Sequence, residues 1–87
     1  MIDLYSDTLT KPSKEMRRAM ADAEVGDEQR REDPSTNKLQ SMVAEMLGKE
    51  AAVFLPSGAM CNAVAIKTHT QPSDAILCDR LAHVYRS

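Results

Sequence analysis

Two short stretches of this 87-residue chain carry residue types that can do chemistry. Ser57-Gly58-Ala59-Met60 follows an apolar run and has the look of a helix start. Small side chains there leave backbone N–H groups exposed, and the helix dipole favours an anion such as a phosphate. An ordinary capped helix after a strand reads the same way, and the pattern is far weaker than a full P-loop. The second stretch holds His83, four residues past Asp79. An imidazole placed beyond a strand end can act as an acid or base, or lay its ring on a flat cofactor. Spacing alone describes a loop histidine equally well. His69, at the end of a helical pattern, is more simply a partner for the helix dipole.

Other candidates are weaker. Ser6, Asp7, Thr8 and Thr10 line an N-terminal arm, where hydroxyls usually satisfy local backbone groups. Two histidines and two cysteines at these spacings make no metal cluster. Cys61 and Cys78 form no CxxC pair and sit in apolar segments, so buried free thiols are expected. The charged run from Asp27 to Asp33 reads as a solvated connection. No nucleophile–base pair is established by sequence.

The elements that must position these residues are legible from periodicity. The first ten residues, with alternating Ile2, Leu4 and Ser6, read as an extended arm. Pro12 and Ser13 open a helix to about Ala23, with Met16, Ala19, Met20 and Ala23 on one stripe. Asp33 can cap a second helix, Pro34 fits its first position, and Gly48 fits just past its end. Leu39, Met42, Val43, Met46 and Leu47 make its apolar face. Ala51-Ala52-Val53-Phe54-Leu55 is then a short apolar run bounded by Pro56, as expected of a buried strand. A third helix runs from Ser57-Gly58-Ala59 to about His69. Gln71-Pro72-Ser73-Asp74 turns the chain into a second buried strand, Ala75-Ile76-Leu77-Cys78.

Three helices and two buried strands, with strand–helix–strand order in the second half, predict an α/β fold with a parallel sheet. Ligands bind outside the carboxyl ends of such strands, which would bring Gly58 and His83 to one edge. Two strands do not complete a sheet, so this pattern implies neighbours that the sequence does not contain.

Composition sharpens that point. A chain of 87 residues allows one small domain with a marginal core. Hydrophobic residues reach 43%, but only Tyr5, Phe54 and Tyr85 are aromatic and tryptophan is absent. Alanine and methionine supply much of the apolar count, so little area is buried per residue. No apolar run approaches the roughly 18 residues that span a bilayer. The N-terminus has early acidic residues and no apolar h-region, unlike a secretory signal. A net charge of -2, with both signs interspersed, gives no nucleic-acid footprint. Neither a membrane nor a nucleic acid is expected as a partner, and the cytoplasm is the expected compartment.

Taken together, the residues resemble a known family. Ile2-Asp3-Leu4, Ser6-Asp7-Thr8 and Thr10-Lys11-Pro12 are similar to the N-terminus of low-specificity L-threonine aldolases. The resemblance continues through Met16-Arg17-Arg18-Ala19-Met20-Ala21, Val25-Gly26-Asp27 and Glu32-Asp33-Pro34. It runs on through Leu47-Gly48-Lys49-Glu50-Ala51-Ala52, Pro56-Ser57-Gly58 with Asn62, and Ala82-His83 with Tyr85. No single motif decides it, but the order and spacing are specific and cover nearly the whole chain.

The resemblance implies part of a pyridoxal 5′-phosphate-dependent domain of the aspartate-aminotransferase-like fold type I, with an arm at 1–12 followed by the start of the large domain. The implied activity is that of a homo-oligomeric lyase of threonine catabolism, cleaving L-threonine or L-allo-threonine to glycine and acetaldehyde. The cofactor is the electron sink. By the same resemblance, Gly58 and Ala59 hold the cofactor phosphate, His83 stacks on the pyridine ring and handles protons, and Ser6 and Thr8 lie near the substrate.

Four positions depart from the family's usual residues. Ala59 stands for threonine, Tyr5 for arginine, Arg30-Arg31 for Tyr-Gly, and Cys61 for glycine. Family members are several times longer, and the lysine that holds their cofactor lies beyond the span matched here. None of Lys11, Lys14, Lys38, Lys49 and Lys67 matches it. The expectation is a chain that alone neither folds stably nor catalyses. Two alternatives are a non-catalytic chain docking on a longer subunit and a lyase acting on another β-hydroxy amino acid.

Overall fold

The computed structural model describes residues 1–86. Four α-helices are present among them: α1 (Lys14–Asp22), α2 (Pro34–Met46), α3 (Gly58–His69) and the short α4 (His83–Arg86). Single 3-10 turns occupy Asp7–Leu9 and Glu28–Arg30. The chain forms two units, Met1–Ala51 and Ala52–Ser87.

The three longer helices begin where side chains can satisfy their first amides. In α1 the Ser13 hydroxyl accepts from Met16 N–H at 3.1 Å. In α2 the Asp33 carboxylate accepts from Thr36 N–H at 2.9 Å, with Pro34 in the first turn. In α3 the Ser57 hydroxyl accepts from Met60 N–H at 3.2 Å. Each bond takes up one of the four donors that a helix start leaves unmatched. Helix α2 also ends as its sequence foretold. Gly48 adopts φ 61°, its N–H donates to Glu45 O at 3.1 Å, and Lys49 N–H donates to Ala44 O at 2.8 Å. That pair of bonds is a Schellman motif, which needs a left-handed residue at the Gly48 position.

The two expected strands are not formed. Among the described residues none pairs in a ladder, and Ala51–Leu55 and Ala75–Cys78 run without regular structure. Nor are they buried: Val53 is 70% exposed and Leu77 fully so. A strand satisfies its N–H and C=O groups only through a neighbour, and neither segment finds one. The arm differs in a smaller way. A turn at Asp7–Leu9 interrupts it, with Leu9 N–H donating to Ser6 O and Thr10 N–H to Asp7 O.

Burial is correspondingly slight. Ala44, on α2, is the one buried hydrophobic residue among those described. The stripe residues Met16 and Met20 of α1, and Leu39, Met42 and Met46 of α2, are exposed. The chain exposes 8735 Å². A compact monomer of this mass exposes about 5,100 Å², and two separate compact bodies of the units' sizes about 6,100 Å². The sequence has helical faces without the large side chains and neighbouring elements that would cover them.

Candidate functional site

In the second unit, the start of α3 and the start of α4 hold the chemistry-bearing residues. Ser57 closes two of the first amides of α3: its hydroxyl takes Met60 N–H and its carbonyl takes Cys61 N–H at 3.0 Å. The Gly58 and Ala59 amides lie ahead of these, with no intrahelical acceptor. No acidic side chain occupies the first turn of α3. A Cβ built on Gly58 meets nothing within 4 Å, so the space over this helix start is open. Two N–H donors, a helix dipole of twelve residues and open space are chemically suited to a phosphate. Cys61, one position further on, is exposed rather than buried, as is Cys78. The apolar segments expected to cover both thiols are themselves uncovered.

His83 opens α4 rather than following a strand. Asp79 sets up that start, its carboxylate accepting from Leu81 N–H at 2.6 Å and its carbonyl from Ala82 N–H at 2.9 Å. Helices α3 and α4 pack together. A pocket of about 340 Å³ lies between them, lined by Ala59, Met60, Asn62, Ala63, Ile66 and Val84. Helix packing, not a sheet edge, therefore brings the α3 start near the residue that follows His83. The imidazole is exposed.

Ser6 and Thr8 belong to the first unit. Their hydroxyls bond each other at 2.8 Å, and Ser6 Oγ also accepts from Thr8 N–H at 3.3 Å. Thr10 Oγ1 donates to Asp7 O at 2.7 Å. Local backbone thus absorbs part of this hydroxyl group's capacity, while Ser6 stays half-buried.

The stretch between α1 and α2 is exposed up to Glu32, as expected of a solvated connection, and is closed by hydrogen bonds. Asp33 ties both ends, one oxygen accepting from Gly26 N–H at 2.9 Å and the other from the amide and hydroxyl of Thr36 at 2.9 and 2.7 Å. Glu32 N–H donates to Asp27 O at 2.9 Å, and Ser35 Oγ to Glu24 O at 3.2 Å. Gly26 is where the loop closes most tightly: a Cβ there would overlap the Glu32 carbonyl and lie 3.1 Å from Asp33 N. The Thr36 hydroxyl, then the Thr36 and Gly26 amides, hold the Asp33 carboxyl below the usual aspartate range. Arg31 takes φ 60°, a left-handed conformation, and Asn37 Nδ2 donates to its carbonyl at 2.7 Å. Arg30 pairs with Asp27 at 3.6 Å. Sequence reasoning found Asp33 as a cap and missed its second role. The signal was Thr36 three residues on and Gly26 seven residues back.

Among the described residues no group of three histidines, cysteines or carboxylates is placed to hold a metal ion. No described helix is long and apolar enough to cross a membrane.

The sequence model of the family described as beta-eliminating lyase matches residues 3–87. Over 85 residues, 98% of this chain, the sequence is 47% identical to the low specificity L-threonine aldolase of Escherichia coli K12 and 52% identical to an uncharacterized protein of Caenorhabditis elegans. It is 50% identical over 84 residues, 95% of the chain, to the low specificity L-threonine aldolase of Saccharomyces cerevisiae. These alignments cover 26%, 21% and 22% of the respective relatives, so the chain spans about a quarter of their length.

Proposed function

Because the chain belongs to the beta-eliminating lyase family, we propose that residues 1–87 form part of the domain of a pyridoxal 5′-phosphate-dependent lyase. The proposed reaction is cleavage of L-threonine or L-allo-threonine to glycine and acetaldehyde. One observation carries this reading: identity near one half with two threonine aldolases extends over almost every residue of the chain. The fold type I domain, and assembly as a homo-oligomer, follow from the same reading.

The α3 start suits the cofactor's phosphate. Gly58 and Ala59 offer two amides at the positive end of a helix, with no acidic residue in its first turn to repel the anion. Ala59 contributes its backbone alone, so the anion is held by amides and dipole without a hydroxyl. When bound, pyridoxal phosphate supplies an electron sink for the pair released as the Cα–Cβ bond breaks. His83 would cover the ring and accept the β-hydroxyl proton on an imidazole nitrogen. Ser6 and Thr8 orient the substrate through their hydroxyls. The lysine that carries the cofactor comes from outside these residues.

A second reading has its own support: a non-catalytic chain that docks on a longer subunit of the family. The surface left exposed in both units favours it, because such faces call for a partner.

A chimaera separates the two. The segment of the Escherichia coli aldolase that aligns with this chain is replaced by residues 1–87, and acetaldehyde release from L-threonine is followed with an alcohol dehydrogenase and NADH. The lyase reading expects cleavage, reduced at least tenfold by His83→Ala. A folded chimaera that binds the cofactor and leaves L-threonine intact overturns it. Co-purification of residues 1–87 with a longer homologue supports docking.

A further inference from the structure

We draw no further inference here: the strongest candidate, the apolar surface that Val53, Phe54, Ile76 and Leu77 leave exposed in the second unit, belongs to the docking reading already proposed, and nothing in the structure shows what covers it.

Discussion

Denaturation by urea tests the exposed surface directly. The unfolded chain exposes about 13,900 Å² by the same scaling that gives about 5,100 Å² for a compact monomer. Folding to the observed 8735 Å² therefore buries about 5,200 Å², near 60% of the roughly 8,800 Å² that a compact chain of this mass buries. Both the urea m-value and the heat-capacity change scale with that area. An ordinary 87-residue domain has a heat-capacity change of about 1.0–1.3 kcal/mol/K on unfolding. The isolated chain is expected to show about 0.6–0.8 kcal/mol/K, an m-value cut in the same proportion, and a broad transition.

Helical circular dichroism across a urea series gives the m-value, and differential scanning calorimetry gives the heat capacity. The unfolded reference is common to both areas. A sharp transition with the m-value and heat capacity of a compact domain would refute the reasoning. It would mean that Met16, Met20, Val53 and Leu77 are covered in the isolated chain, and the docking reading would lose its support. Adding a partner that covers these residues should raise both quantities together.

Three further outcomes follow from the loop between α1 and α2. Gly26→Ala places a methyl group against the Glu32 carbonyl, so the loop opens and the Glu32–Asp27 backbone bond is lost with its neighbours; about 2 kcal/mol is expected, read as faster amide exchange at Glu32. Arg31→Gly relieves a left-handed conformation that costs a non-glycine residue about 1–2 kcal/mol, offset in part by the roughly 0.5–1 kcal/mol of extra backbone entropy glycine loses. A net gain of about 0.5–1 kcal/mol should raise the urea midpoint, and an unchanged or lower midpoint would count against the strain. For Asp33 the folded carboxyl titrates below its unfolded value, so its contribution is present above that value and is lost as pH falls from about 4 through the folded midpoint. A carboxyl-carbon NMR titration should place Asp33 below a free aspartate, with Thr36 and Gly26 amide shifts moving in step; Asp33→Asn should abolish that step.

What the sequence made legible is what neighbours in the chain decide. The starts of α1, α2 and α3 fall within a residue or two of their expectation, because Ser13, Asp33 and Ser57 each accept from an amide three positions on. Gly48 ends α2 for an equally local reason. The strands failed because a strand is decided by its neighbour, and Ala51–Leu55 and Ala75–Cys78 have none to pair with. Burial of the thiols failed with them: Cys61 and Cys78 were expected to be buried and are exposed, because covering needs elements from elsewhere in a fold. Of the candidate site, the α3 start was legible as a local device. The proximity of α4 came instead from helix packing, which one-dimensional periodicity does not encode.

The two substituted positions with structural consequences point the same way. At Arg31 the resemblance leads one to expect glycine, and the structure shows why: the loop needs φ near 60° there. An arginine is tolerated because the conformation is fixed from several sides, by Asn37 on its carbonyl, by Glu32 to Asp27, and by Asp33 bridging Gly26 and Thr36. At Ala59 a side-chain donor is gone, yet the amide and the helix dipole remain. Arg31 adds a side chain and Ala59 lacks a hydroxyl, and in both places the backbone device is present. The local geometry connects to the proposed function at α3, where the capped helix start is the device a phosphate would use.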